Sequence, residues 1–572
     1  IEYEEMTKMM KRLSRWQVTV LIEIGFAIIS MMLFAALIHG TTVFATGDYH
    51  FHQNRIESLY EALKHGNLMP RVDTYFAGGY GYAASLFYPT LFLYIPATFR
   101  LLGFSSAQVY FGTLIGIVWA TFATTEFAGR KMGLSRVRSV MFALLYGLST
   151  YHLQDVFSRQ DMGEAMAMVF FPLVLASLVK LNHGDKHAWL WLALSMTAVG
   201  YAHMLSLEMM GLFCVIYALT HWRTFMHKRT LLSVGGAALT AVLLLSAYLI
   251  PVGEQLMSQT FQVTSTPLVY ISKEAVAPLA LIKNSLTNQV FHASTVNVGP
   301  IILIGSVVGL GMAYKQRHNR VLATTALVML LMTTSLFPWA LLNHTMFNTL
   351  QFPWRLFSII SLLVAYNLAD LKYGQAFERA AKGVLPLAAA AMLLFGLQLG
   401  ANTVAASPSR VESETSFDKV DSYYIGAGHE YLPKSLSYSK ILANKKRTLI
   451  YNDEDVTITA TRDGGRGVEF HYTVHDPQKQ AKINLPLVYY KGMQAVNTLD
   501  HRFVSTEESR SGMTQLKLSG SGNVAVNYVG TPLQRTSVIV TSVTVATLIV
   551  GISLRRRHRR FLLVRLPRNK SK

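Results

Sequence analysis

QVTVLIEIGFAIISMMLFAALI, residues 17–38, and GDYHFHQNRIESLYEAL, residues 47–63, decide the fold class. The first run carries a single charge, Glu23. As a helix it extends about 33 Å, enough to cross the ~30 Å of a bilayer's hydrocarbon core. The second run is polar and repeats Ile56, Leu59, Tyr60 and Leu63 at helical spacing. That pattern predicts an amphipathic helix lying on the membrane surface, with Asp48 at its N-cap.

Similar apolar blocks recur at 83–101, 108–127, 136–152, 163–181, 188–204, 206–220, 231–251, 298–314, 321–338, 355–371, 384–400 and 536–554. The composition agrees, with 51% hydrophobic and only 15% charged residues in 572. The expected fold class is a polytopic α-helical membrane protein. The net charge of +20 comes from Lys and Arg gathered in short loops between the blocks. That is the positive-inside bias of membrane proteins, so nucleic acid is not an expected partner; the bilayer is. Cys214, the single cysteine, excludes a disulfide framework and a cysteine metal site.

The charges also orient the blocks. Lys8, Lys11, Arg12 and Arg15 place the N-terminus in the cytoplasm, with the first block a retained anchor, and Arg555, Arg556, Arg557, Arg559 and Arg560 place the C-terminus there. The basic loops 130–138, 180–186, 223–229, 315–320 and 372–382 fall on the same side if 83–101, with Pro89 and Pro96, stays juxtamembrane. About twelve spans remain. Residues 1–400 are then the membrane domain and 536–572 the last span with a basic tail.

Residues 401–535 differ in kind. Apolar and polar residues alternate over 456–461, 468–474, 483–488 and 524–529, and Gly464, Gly465, Gly467, Gly520 and Gly522 supply turns. This predicts a small extracytoplasmic β-sandwich.

Candidate chemistry collects on the outer loops. Asp48, His52 and Arg55 are spaced to share one helix edge, which brings a base and a phosphate-binding cation together at the membrane boundary. Asp48, His50 and His52 are the candidate ligands of a divalent metal, the one cofactor that the loop suggests. The second outer loop carries Arg159 and, at the start of the next block, Glu164, a second acid expected to face the cavity of Asp48. Arg355 in QFPWRLF, residues 351–357, opens another block, where it could bind a lipid-linked phosphate or snorkel to the interface beside the anchor Trp354. His203 lies between two blocks on the outer side. Tyr60, Tyr75, Tyr80 and Tyr82 give an aromatic rim. No P-loop, dinucleotide fingerprint, nucleophile elbow or zinc motif is present, so neither nucleotide hydrolysis nor hydride chemistry is expected.

With those residues in place, the chain resembles the YfhO-like bacterial membrane proteins and their kin labelled "6-pyruvoyl-tetrahydropterin synthase-related". The resemblance rests on the Gly47-Asp48 loop, the stretch from Arg159 to Glu164-Ala165, and Gln351-Phe352-Pro353-Trp354-Arg355. It continues in GAGHEYLP, residues 426–433, and LPLVYYKG, residues 485–492. It implies a GT-C type glycosyltransferase architecture, in which a sugar moves from a polyprenyl phosphate to an extracytoplasmic envelope glycopolymer or glycolipid. It implies the role of general base for Asp48. Tyr49 stands where many such enzymes carry a second acid. Two other readings stay open: a transporter or flippase for a lipid-linked glycan, and a non-catalytic envelope-assembly partner.

Overall fold

The computed structural model describes residues 14–565 apart from 186, 266, 293, 373, 374, 465, 466 and 477. Lys8, Lys11, Arg12 and Gly465, together with the side chains of the five arginines at 555–560, lie outside the described residues. The chain forms two compact units, Ile1–Leu231 with Gln262–Tyr431, and Leu232–Phe261 with Leu432–Lys572.

Among the described residues, six helices are long and apolar enough to cross a membrane: Arg15–Leu33, Ser106–Lys131, Met162–Asn182, Lys228–Ser258, Ala389–Ala406 and Pro532–Leu554. This is the framework of a membrane protein. Shorter apolar helices include Leu91–Leu101, Ala188–Ala202, Met204–Thr220, Pro300–Lys315 and Arg320–Met332. Leu91–Leu101 is about 16 Å long at 1.5 Å per residue, roughly half the hydrocarbon thickness.

Two long helices of the first unit are started by the same device. Ser14 and Gln17 form a capping box for Arg15–Leu33, and Ser105 and Gln108 form one for Ser106–Lys131. The two helices meet through Phe26 and Phe122, stacked at 5.2 Å. Between them the chain makes a hairpin, β1 (Ile38–His39) and β2 (Thr42–Phe44), and β2 also pairs with β3 (Val411–Ser413).

The helix Tyr49–Lys64 does not lie on a surface. His52 through Leu59 are all buried. Much of its polar face is bonded by protein. Gln53 donates to the Phe417 carbonyl at 2.6 Å, Asn54 donates to the carbonyls of Asp421 and Tyr424 at 2.8 Å each, and Glu57 pairs with Arg100 at 2.7 Å. A 3.6-residue pattern reports an apolar stripe, and the polar stripe opposite can be matched by hydrogen bonds as well as by water.

Among its described residues the second unit holds eight strands: β4 (Val456–Gly464), β5 (Gly467–Val474), β6 (Ala481–Val488), β7 (Met493–Asn497), β8 (Phe503–Val504), β9 (Thr506–Glu508), β10 (Met513–Leu518) and β11 (Ser521–Tyr528). They form an antiparallel sheet in the order β4-β5-β11-β7-β8 and another in the order β6-β10-β9. Val468, Phe470, Tyr472, Ile483, Leu485, Leu516, Val524 and Val526 make the core of this region. In the same unit Lys228–Ser258 meets Pro532–Arg565 through hydroxyls, with Ser246 Oγ 2.9 Å from Thr541 Oγ1. Gln255, buried near the end of the first of these helices, exchanges two hydrogen bonds with the backbone of Lys491. The polar stretch 401–535 is therefore not one piece, because residues through Tyr431 belong to the first unit.

Candidate functional site

The hairpin β1–β2 delivers Gly47 and Asp48 against the loop before Met162. The Asp48 N–H donates to the Arg159 carbonyl at 2.8 Å, and Gly47 has φ +62°. A Cβ on Gly47 would collide with that same carbonyl, so only glycine fits. Asp48 occupies the N-cap position of Tyr49–Lys64, yet its side chain makes no capping hydrogen bond. Its carboxylate is turned instead to a cavity of about 590 Å³, within the range of small-ligand sites.

The opposing loop is built around a π-helical turn, Asp155–Arg159, followed by Gln160 in left-handed backbone at φ 48°. Gln160 is fixed by donating to the Phe44 carbonyl at 2.9 Å, so the hairpin and the loop hold each other. Asp161 then caps Met162–Met168 through the Glu164 N–H at 3.1 Å.

Arg159 sits among three carboxylates. Its guanidinium donates to Asp155, to Asp161 at 2.9 Å and to Glu164 at 3.0 Å. Glu164 is fully buried and does not line the cavity, contrary to expectation. It stands behind two arginines, since Arg355 Nε lies 3.1 Å from the same Oε2 that Arg159 uses. Its other oxygen accepts from the Tyr151 hydroxyl at 2.5 Å.

Arg355 does not snorkel. It is 5% exposed, and Nη1 donates to the Gln351 side chain at 3.0 Å and to the Leu350 carbonyl at 3.3 Å. Nη2 makes no hydrogen bond among the described residues, and the side chain lines the cavity. Trp354 is likewise buried, stacked on Phe352 at 4.6 Å and beneath Arg159 at 4.9 Å.

Of the other expected residues, His52 and His203 line the cavity and Arg55 does not. Arg55 donates to the Pro89 carbonyl at 2.5 Å and lies over the Tyr88 ring at 4.0 Å, fastening the 88–89 turn. His50 stacks on Tyr49 at 3.9 Å and also lies outside the cavity lining. Among the described residues, the carboxylates close enough to share an ion are Asp155, Asp161 and Glu164; Asp48, His50 and His52 form no such set. Arg159 already provides that acidic set with its countercharge. Tyr80 and Tyr82 are buried and do not line the cavity, whose aromatic lining includes Tyr88, Phe291, Phe352, Trp354, Tyr424 and Tyr431.

The electrostatics separate the acids. The Asp48 carboxyl is reached by solvent through the cavity but is closely surrounded by protein. That partial dehydration, with the charge of Asp161, raises its pKa against the pull of Arg159, His52 and Arg355. Asp161 behaves oppositely. Burial would raise it, but His52, whose Nε2 lies 3.6 Å away, and the charge of Arg159 hold it well below the usual range. Burial lowers His203 to about 4 despite Asp161, so its imidazole is neutral at pH 7, with Nδ1 2.8 Å from Ser206 Oγ.

Asp161, Tyr88 and Glu430 were not singled out by the sequence reading. Asp161 did carry a signal, an acid three residues before Glu164 at the start of an apolar helix. Tyr88 and Glu430 carried none of that kind.

No family model matches the chain, and no curated protein matches it. Among solved structures, the cryo-EM structure of the arabinofuranosyltransferase AftD from mycobacteria overlaps 70% of this chain and 27% of its own, at 16% identity and a TM-score of 0.42. A mutant form of that enzyme overlaps 68% and 28%, at 16% identity and a TM-score of 0.40. This chain thus spans about a quarter of the length of AftD. At this level of likeness the chemistry of the site rests on its own residues.

Proposed function

We propose that the protein is a membrane glycosyltransferase of the GT-C type that takes a sugar from a polyprenyl phosphate and passes it to an extracytoplasmic glycan or glycolipid. The observation that carries this reading is the pairing within one aromatic-lined cavity of an uncapped carboxylate, Asp48, with an arginine, Arg355, that has an unused Nη2. Asp48 takes the proton of an acceptor hydroxyl, whose oxygen attacks the anomeric carbon from the face opposite the phosphate. The bond between that carbon and the phosphate oxygen breaks, and its electron pair leaves with the phosphate. Arg355 meets the charge that develops there through its Nη2, a guanidinium donor suited to phosphate oxygens. The raised pKa of Asp48 makes it a stronger base than an ordinary carboxylate. The outer-loop origin of Asp48, Arg159 and Arg355, and the motif resemblance set out above, support placing the cavity and the β-strand region outside the membrane.

The test is transfer by the purified protein in liposomes, with a radiolabelled glycosyl-phosphoryl-polyprenol and an envelope glycan extract. Formation of labelled glycan with release of polyprenyl phosphate is the expected result. Movement of the intact lipid-linked sugar between leaflets without cleavage would replace this reading with the transporter.

A further inference from the structure

The stretch GAGHEYLP, residues 426–433, brings to the cavity a carboxylate that the mechanism above does not use. Glu430 lines the cavity together with Tyr424 and Tyr431. Its backbone is pinned on both sides. Its carbonyl accepts from the Val263 N–H at 3.1 Å, and the Tyr431 N–H donates to the Tyr82 hydroxyl at 3.1 Å. The Tyr431 ring stacks on Phe87 with centroids 4.9 Å apart and planes 8° from parallel. The Glu430 side chain folds back over its own loop, and a Cβ on Gly428 would come within 2.7 Å of Oε1. Burial raises the pKa of this carboxyl while the backbone of its own loop lowers it, and no cation pairs with it among the described residues. A carboxylate offers about four acceptor positions, so lone pairs remain for hydroxyl donors.

Asp48, Arg355 and Glu430 line the same cavity, with Tyr424 and Tyr431 beside Glu430. A ligand whose phosphate meets Arg355 and whose reacting carbon lies at Asp48 has its ring within this cavity, where Glu430 is an acid left for its hydroxyls. There it finds aromatic faces for C–H groups and a carboxylate for O–H groups.

We propose that Glu430 holds the hydroxyls of a sugar ring in this cavity and so sets which glycosyl group is accepted. The role rests on the transferase reading. Hydrogen bonds to a charged group are strong enough that losing them weakens binding roughly 10- to 100-fold. The ring belongs either to the lipid-linked donor or to the acceptor.

The experiment measures binding to the full-length protein in nanodiscs, for wild type, Glu430→Gln and Glu430→Ala. The probes are farnesyl phosphate, glucosyl-phosphoryl-farnesol, arabinofuranosyl-phosphoryl-farnesol and maltotriose. Wild type is expected to bind a glycosyl lipid more tightly than farnesyl phosphate, or to bind maltotriose where a sugar-free buffer blank gives no signal, and that difference is the margin; wild type showing neither overturns the inference. Both variants should lose that margin, with farnesyl phosphate binding unchanged, which also shows that they fold. A margin lost on a glycosyl lipid assigns the donor, and one lost on maltotriose assigns the acceptor. An unchanged margin in both variants overturns the role of Glu430 and leaves the transferase reading standing. If wild type binds no phosphoryl lipid at all, the transferase reading falls and takes this inference with it.

Discussion

Glu164 offers the sharpest test of how the site is held. One oxygen of this fully buried carboxylate lies 3.0 Å from Arg159 and 3.1 Å from Arg355, and the other accepts from Tyr151. Glu164→Gln keeps the volume and a hydrogen bond to Tyr151 but removes the charge. Two buried guanidinium groups then share one anion fewer. Breaking a buried pair by removing one partner costs about 3–5 kcal/mol, because the charge left behind stays dehydrated. Gln retains an acceptor oxygen for one arginine, which brings the expected loss to about 2–4 kcal/mol. The assay is thermal unfolding of detergent-purified protein for wild type, Glu164→Gln, Arg355→Gln and the double variant. The double variant should be less destabilised than the sum of the single ones, with a coupling above about 1 kcal/mol. Additive effects, or a Glu164→Gln protein within about 0.5 kcal/mol of wild type, would refute the claim that Glu164 organises both arginines.

Gly47→Ala should disrupt the site without touching a charged group, since the new Cβ meets the Arg159 carbonyl at a positive φ. A loss of transfer of at least tenfold is expected, measured at equal membrane level, and full activity would contradict the docking of Asp48 against that loop. Asp73 links stability to pH. It is 1% exposed and its pKa is raised to about 6 by burial, against hydrogen bonds from Ser85 and Ser58. A raised carboxyl pKa means that the folded state holds the proton more tightly. The associated stability is therefore complete below about pH 4 and is lost as pH rises through about 6, an amount of about 2–3 kcal/mol. Unfolding curves of wild type and Asp73→Asn between pH 4 and 7.5 should diverge by that amount, and parallel curves would show that Asp73 titrates normally.

The membrane class was legible in the apolar blocks because hydrocarbon thickness imposes a length on each of them. Strands β4, β5, β6 and β11 were legible from alternation, whereas β7 to β10 are short and bounded by polar turns. The site was half legible. Asp48 and Arg355 could be nominated from their places beside apolar blocks, but sequence alone could not separate a capping carboxylate from an uncapped one. Arg55 and Arg159 show the same limit. Both stand on outer loops, and the fold turns Arg55 onto backbone carbonyls while it sets Arg159 among three acids. Helical spacing misjudged Tyr49–Lys64 because its polar face is met by Phe417, Asp421 and Arg100 rather than by water. Glu430 lay within the quoted GAGHEYLP stretch, but its place in the cavity was not legible because the loop is carried there by contacts with Val263 and Tyr82, far along the chain.

The central claim, that Asp48 is the general base, is tested most directly by the rate of glycosyl transfer in Asp48→Asn protein reconstituted at wild-type level. Asn matches Asp in size, and because Asp48 makes no capping bond, folding should be little affected. Loss of a general base costs about 10²–10⁴-fold in rate. The wild-type rate should fall as acid protonates Asp48, along a limb centred above the usual ~4 of an aspartate, and that limb should be absent from the residual activity of the variant. Transfer at the wild-type rate by a correctly inserted Asp48→Asn protein, with the acid limb intact, would contradict the account.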